Sequence, residues 1–178
     1  MVRCFIGILL PDSLKNAVSK IQDFIRTLDA ECRFVEYENL HISLSFLGDM
    51  PDNEILKIQQ KLDEVVGNYR KFSLLVSGIK FIPTRSYIRV IALDVVDDSG
   101  VLVQITDKIK TNVGGDVKPP HLTLCRVKKI ADKLDVISRI LNSNTYCGEL
   151  EVDSINLIKS ELKPTGPVYS VLHKSSLK

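Results

Sequence analysis

Two tetrapeptides, each headed by a histidine, contain the residues of this chain that are best suited to chemistry. The chain has three histidines, and two of them open a His-x-Ser/Thr-Leu sequence: His41 in HISL and His121 in HLTL. A hydroxyl follows each imidazole two positions later, on Ser43 in the first motif and on Thr123 in the second. One such tetrapeptide carries little information, but its repetition favours a paired function.

Two imidazoles with accompanying hydroxyls suit the cleavage of a phosphoester without a metal. A neutral imidazole takes a proton from the attacking water, and a protonated imidazole gives a proton to the leaving oxygen. In-line displacement places these two oxygens on opposite sides of phosphorus, so two separate groups are needed. Histidine serves both roles because its pKa lies near neutrality. The hydroxyls would hydrogen-bond the non-bridging phosphate oxygens and hold the phosphate between the histidines.

The elements around the motifs must bring them together. Apolar and β-branched residues predict a strand at each motif. Because side chains alternate along a strand, His41 and Ser43 should share one face, and the histidine and threonine of the second motif should do the same. Ile42, Leu44 and Phe46 should lie on the opposite face of the first strand, which we expect to pack in the core.

The order of predicted elements is β-α-β-β-α-β-β-α-β-α-β-β, and it contains a loose duplication. Each half has a helix, a short connection, a histidine-led strand and another helix. This order predicts an α+β fold of two similar lobes. The last part of the chain predicts two strands, 147–162 and 166–177, separated by the turn KPTG.

Composition limits the classes of protein to which the chain can belong. Charged residues make up 26% of the chain with a net charge of +2, so a broad nucleic-acid-coating surface is not expected. No apolar run reaches the roughly 18 residues of a membrane span. Neither a phosphate-binding glycine loop nor a local Cys/His cluster is present, so we expect no metal and no cofactor. The four cysteines form no CxxC pair, which indicates reduced, mostly buried thiols and a cytoplasmic protein.

The chain resembles the two-histidine phosphoesterases, and specifically the RNA 2′,3′-cyclic phosphodiesterases that are also called 2′-5′ RNA ligases (LigT/ThpR-like). The resemblance covers essentially the whole chain. It is carried by the opening strand RCFIGILLP, the first motif in VEYENLHISLSFLGDM, the middle strand RVIALDV, the second motif in PPHLTLCRVK and the closing hairpin LIKSELKPTGPVYSVL.

The resemblance implies a bilobal α+β fold, as a single domain over residues 1–178, in which two similar lobes of antiparallel sheet and helices flank a central cleft. Five functional residues are implied to lie in this cleft. His41 and His121 would be catalytic, and Ser43 and Thr123 would bind the phosphate. Arg126 matches the arginine that follows the family's second motif and is also implied to bind substrate. Strict alternation would place Arg126 on the face opposite His121, so Arg126 reaches the site only if the strand bulges or ends beside it.

The implied activity is hydrolysis of RNA 2′,3′-cyclic phosphate ends to 2′-phosphomonoesters, with weak reverse 2′-5′ ligation. The expected partner is RNA with such an end, for example tRNA halves, with no membrane and no obligate protein partner. One alternative substrate is a small cyclic phosphate such as ADP-ribose cyclic phosphate. Another alternative is a non-catalytic RNA-binding module, which the intact motifs disfavour. Phe5 and Tyr87 could stack on a base, a core or rim position being the alternative.

Overall fold

A computed structural model of the chain describes residues 1–164 and 166–178. Within these residues it has nine strands and four α-helices. The strands are β1 (Val2–Leu9), β2 (Ala30–Phe34), β3 (His41–Met50), β4 (Phe72–Pro83), β5 (Ile88–Val96), β6 (Asp116–Ile130), β7 (Gly148–Val152), β8 (Ser154–Lys163) and β9 (Gly166–Ser176). The helices are α1 (Asp12–Arg26), α2 (Ile55–Val66), α3 (Val101–Asn112) and α4 (Lys133–Leu141).

All nine strands belong to one antiparallel sheet, whose order reflects the duplication seen in the sequence. The order is β7-β4-β5-β6-β3-β1-β8-β9, and β2 pairs with β6 outside this path. The halves β7-β4-β5-β6 and β3-β1-β8-β9 meet where β6 pairs with β3, and these are the two motif strands. The predicted α+β fold with paired antiparallel halves is confirmed, and the duplication brings the two histidine motifs side by side.

The helices cover one face of the sheet with regularly spaced apolar side chains. In α1, Leu14, Val18 and Ile25 are buried at helical spacing, and in α2 Ile58 and Leu62 are buried in the same way. Each such side chain contributes about 1.5–3 kcal/mol when it is removed from water. None of the helices in the described part of the chain is long and apolar enough to cross a membrane.

A bulge interrupts the first motif strand at Leu44. The β1–β3 register passes from Ser43 to Ser45 and skips Leu44, so Leu44 and Ser45 are both buried, at 1% and 0% exposure. Phe46 is therefore turned to the face of the motif histidine, where it is 45% exposed. The prediction that Phe46 packs in the core was wrong because a bulge reverses the alternation beyond it.

The second motif strand contains a bulge at the corresponding leucine. The β5–β6 register passes from Thr123 to Cys125 and skips Leu124, and both Leu124 and Cys125 are fully buried. Arg126 consequently lies exposed on the same face as His121. Strict alternation would have placed Arg126 on the opposite face, and the bulge moves it to the face of His121.

The segment predicted as one strand over residues 147–162 is divided at Asp153. Its first part, β7, pairs with β4, and its second part, β8, pairs with β1 in the other half of the sheet. At Asp153 the carbonyl accepts a hydrogen bond from the amide of Leu177, and the carboxylate accepts one from the Ser154 hydroxyl. In the predicted KPTG turn between β8 and β9, Thr165 lies outside the described residues.

Candidate active site

The two motif histidines lie on neighbouring strands and face one cleft. His41 opens β3, and Ser43 stands directly opposite His121 in the β3–β6 ladder. The cleft has a volume of about 610 Å³, and its lining includes His41, His121, Ser43, Thr123 and Arg126. All five residues named from the sequence are thus brought together in one place.

Hydrogen bonds fix the His41 ring and its tautomer. Nδ1 of His41 lies 2.6 Å from the carbonyl oxygen of Asn39, and Nε2 lies 2.8 Å from the Ser43 hydroxyl. A carbonyl can only accept, so Nδ1 carries the proton. Nε2 of the neutral ring is then the acceptor, and the Ser43 hydroxyl donates to it. The reactive lone pair is therefore on the nitrogen that points into the cleft.

His121 repeats this arrangement in the second motif. Its Nδ1 lies 2.9 Å from the carbonyl oxygen of Pro119, two residues earlier in the chain, as Asn39 is two residues before His41. Nδ1 of His121 is consequently also a donor, and Nε2 is the nitrogen left to meet a substrate. In both motifs the carbonyl that orients the ring belongs to the residue two positions before the histidine.

The surroundings of His41 are aromatic and close-packed. Its ring centroid lies 4.7 Å from that of Phe5 and 5.3 Å from that of Tyr169, which meets it edge-on. Gly7 lies beneath the ring, where a Cβ would stand 3.5 Å from His41 Cδ2. Burial lowers the pKa of His41, the hydrogen bond to Asn39 raises it, and the neighbouring His121 lowers it, with a net shift downward.

The cleft is electropositive. Its described lining includes Arg3, Arg33, Arg126 and Lys163, and a single carboxylate, that of Glu36. In the described part of the chain, none of these four cations has a carboxylate within 4 Å. Four exposed cations without internal partners favour an anionic ligand.

Several residues of the cleft could not be selected from the sequence. Arg3 and Arg33 look like ordinary surface charges until the strands pair, and Tyr169 comes from the closing hairpin. Asn39 is 8% exposed and donates from Nδ2 to the carbonyl oxygen of Pro167 at 2.7 Å, which ties that hairpin to the residue that orients His41. In the sequence, the only indication of a role for Asn39 was its position two residues before His41.

Two residues considered as base-stacking candidates do not serve that role in this structure. Phe5 is only 3% exposed, so it supports His41 from below and offers no free ring face. Tyr87 is exposed, but its hydroxyl accepts a hydrogen bond from Arg89 and it does not line the cleft. The exposed aromatic ring within the cleft is that of Phe46.

The remaining histidine and the cysteine nearest the site have structural roles. His173 lies outside the cleft, with Nε2 2.8 Å from a carboxylate oxygen of Asp63. Cys125 is fully buried, and its hydrogen bond with Cys32 together with burial raises its thiol pKa, so it is no nucleophile. The four cysteines are free thiols.

No metal site is evident among residues 1–164 and 166–178, which contain no group of three or more His, Cys, Asp or Glu side chains arranged to hold an ion. The polar side chains of the cleft include two imidazoles, the hydroxyls of the two motifs and several cations. These groups can move protons and stabilise negative charge on a phosphate.

Known proteins with similar sequences identify the family to which the chain belongs. A family model described as LigT like Phosphoesterase matches residues 8–92. A protein of Methanothermobacter thermautotrophicus named RNA 2′,3′-cyclic phosphodiesterase is 34% identical over 179 residues, covering 95% of each chain. A Methanocaldococcus jannaschii protein of the same name is 33% identical, covering 96% of this chain and 98% of its own. The chain belongs to the LigT-like phosphoesterase family.

Solved structures show the same fold. A Thermus thermophilus protein has a TM-score of 0.83 at 24% identity, covering 98% of this chain and 97% of its own. E. coli LigT complexed with phosphate has a TM-score of 0.77 at 20% identity, covering 99% and 98%. The predictions of this family and of a phosphoesterase are confirmed.

Proposed function

We propose that this chain hydrolyses the 2′,3′-cyclic phosphate end of RNA to a 2′-phosphomonoester, with His41 as the general base and His121 as the general acid. The observation that carries this proposal is the placement of the two rings. Each Nδ1 is held by a main-chain carbonyl, and both rings line the same cleft, where Nε2 of His41 has only the Ser43 hydroxyl as its partner. RNA as the substrate is supported by the names of the two archaeal relatives.

His41 suits the base because its surroundings favour the neutral imidazole. Burial and the nearby His121 both lower the pKa of His41. Nε2 then carries a lone pair, and the Ser43 hydroxyl donates a hydrogen bond to it at 2.8 Å. In the reaction the attacking water replaces this hydroxyl as the donor to Nε2. This nitrogen removes a proton from the water as its oxygen bonds to phosphorus.

His121 completes the reaction on the opposite side of phosphorus. As the bond between phosphorus and the 3′ oxygen breaks, the protonated Nε2 of His121 gives its proton to that oxygen. The products are a free 3′-hydroxyl and a 2′-phosphomonoester. His41 is left protonated and His121 neutral, and exchange of both protons with solvent restores the starting state.

Three other side chains hold the phosphate. The hydroxyls of Ser43 and Thr123 hydrogen-bond its non-bridging oxygens, and Arg126 supplies a charge-assisted hydrogen bond as negative charge develops. Phe46 offers an exposed ring face for the terminal base. These roles assign one task to each residue that the two motif strands place in the cleft.

The same site would support weak 2′-5′ ligation, because a 5′-hydroxyl can take the place of the attacking water. Water is far more abundant, so hydrolysis should dominate. RNA with cyclic phosphate ends, including tRNA halves, is the substrate class that we infer. We also infer a cytoplasmic location, which the four free thiols favour.

The test compares three substrates: an oligonucleotide with a 2′,3′-cyclic phosphate end, a 2′,3′-cyclic mononucleotide and ADP-ribose cyclic phosphate. The expected result is highest kcat/KM for the oligonucleotide, with a 2′-phosphate product identified by ³¹P NMR. Faster turnover of ADP-ribose cyclic phosphate would favour the small-molecule alternative. Tight RNA binding without hydrolysis of any of the three would favour a non-catalytic module.

A further inference from the structure

The cleft contains more positive charge than one cyclic phosphate requires. A cyclic phosphodiester carries a single negative charge, and Arg126 beside Thr123 is placed to meet it. Arg33 and Lys163 also line the cleft, and both are exposed. Their charges have no acidic partner within 4 Å among the described residues.

Arg33 stands directly opposite Arg126 in the β2–β6 ladder. Like charges at directly opposite positions of neighbouring strands destabilise a sheet. The two side chains belong to strands about 4.8 Å apart, so the positive row extends one strand beyond the reaction centre. An anion bound at Arg33 would relieve this repulsion.

The end of the closing hairpin that carries Lys163 lies close to Arg33. Lys163 pairs with Gly166 at the end of the β8–β9 ladder. A guanidinium nitrogen of Arg33, Nη2, lies 3.3 Å from the position that a Cβ of Gly166 would take. The hairpin end and β2 therefore meet at one end of the cleft, and each contributes one cation there.

We infer that Arg33 and Lys163 form a second phosphate subsite, which binds the phosphodiester on the 5′ side of the terminal nucleotide. The enzyme then recognises a polynucleotide chain rather than a lone cyclic nucleotide. The Arg126 position holds the reacting phosphate, and the Arg33–Lys163 subsite holds the next phosphate along the strand. This inference rests on the proposed function and specifies the substrate of the same site.

The experiment changes one charge on the substrate and one on the protein. Two trinucleotides with 2′,3′-cyclic phosphate ends are compared, one with natural linkages and one with a neutral methylphosphonate as the last internal linkage. The wild-type enzyme should prefer the charged linkage by about 10-fold or more in kcat/KM, the usual effect of a charge-assisted hydrogen bond. In Arg33→Gln and Lys163→Gln that preference should fall below about threefold.

Salt dependence gives a second readout. The slope of log(kcat/KM) against log salt for the natural trinucleotide should become shallower by about 0.7 in Arg33→Gln, since one single-strand phosphate contact is lost. The matched control is Lys128→Gln, which removes an exposed cation of β6 that pairs with Glu31 at 3.0 Å outside the cleft. This control should retain the wild-type preference and slope.

The outcomes separate the subsite from the proposed function. Equal wild-type turnover of the two trinucleotides would overturn the subsite and leave the cyclic phosphodiesterase intact. If both variants keep the wild-type preference for the charged linkage, residues other than Arg33 and Lys163 recognise it, and the subsite is overturned. If neither trinucleotide is hydrolysed, the proposed function fails, and fluorescence anisotropy with the same pair then decides the subsite, equal affinities overturning it.

Discussion

Gly7→Ala should slow catalysis because Gly7 is the residue that lets β1 approach the His41 strand closely. A Cβ at Gly7 would stand 2.8 Å from the carbonyl oxygen of Ile42. Real Cβ contacts of this kind become ordinary from about 3.4 Å, so β1 and β3 must separate by about 0.6 Å. His41 precedes Ile42 directly, so its Nε2 moves by a comparable distance.

The size of the effect follows from this displacement. A misplacement of about 1 Å costs roughly 10²-fold in rate, so about 0.6 Å should lower kcat by roughly 10-fold. Overpacking costs about 1–3 kcal/mol, and the lost backbone freedom of glycine returns about 0.4–1 kcal/mol. The melting temperature should consequently fall by only about 2–8 °C, so the variant remains folded.

The assay measures kcat and KM on a cyclic-phosphate oligonucleotide, with thermal melts followed by circular dichroism. Ala92 offers a matched control, because it pairs with Thr123 as Gly7 pairs with Ser43. The sheet therefore accommodates a Cβ at this position in the other half. Ala92→Gly should lose about 0.5–1 kcal/mol of stability and keep kcat within about threefold. A folded Gly7→Ala enzyme with wild-type kcat would refute the positioning role of this close approach.

His41→Ala and His121→Ala should each lower kcat by about 10²–10⁴-fold while unfolding curves change little, and a near wild-type rate in either variant would remove that residue from the mechanism. The acid limb of kcat/KM should lie below pH ~6.5, because the neutral base is needed and the pKa of His41 is lowered; a limb above neutrality would contradict the base assignment. Because the pKa of His41 is lower in the folded chain, the unfolded chain binds a proton at His41 more readily. The free energy of unfolding, measured by urea titration, should therefore fall as pH drops below about 6.5. Asn39→Ala should raise KM more than it lowers kcat, since the carbonyl that orients His41 is retained while the hydrogen bond to Pro167 is lost; an unchanged KM would dissociate the hairpin from substrate binding. Excess EDTA should leave the rate within about twofold, whereas strict dependence on added Mg²⁺ or Zn²⁺ would replace paired acid–base catalysis by metal catalysis.

The sequence allowed the two motif strands to be predicted because the information is local. His41 and Ser43 alternate with buried Ile42, and that pattern specifies a strand with one polar face. The family resemblance then extended the prediction to Arg126. Both motifs also end with two consecutive buried residues, a small side chain following the leucine, but nothing in the sequence showed that these were bulges.

The bulges explain which part of the site could not be predicted from the sequence. One unpaired residue, Leu44, is enough to turn Phe46 from the core into the cleft. Arg33 could not be selected because its significance comes from pairing with Arg126, about ninety residues away in the chain. Register and long-range pairing depend on the whole sheet, whereas alternation depends on adjacent residues.

The fold repeats its active-site strands, but the reaction needs two different histidines, and the neighbouring strands supply the difference. Leu9 stands opposite His41 in the ladder, whereas Asp94 stands opposite His121. Beyond the bulges, the first motif presents Phe46 and the second presents Arg126. Burial among apolar and aromatic neighbours favours an uncharged ring, and the pKa of His41 is lowered accordingly. Two copies of one motif can thus take different parts in a reaction, because pairing partners rather than motif residues determine the surroundings of each imidazole.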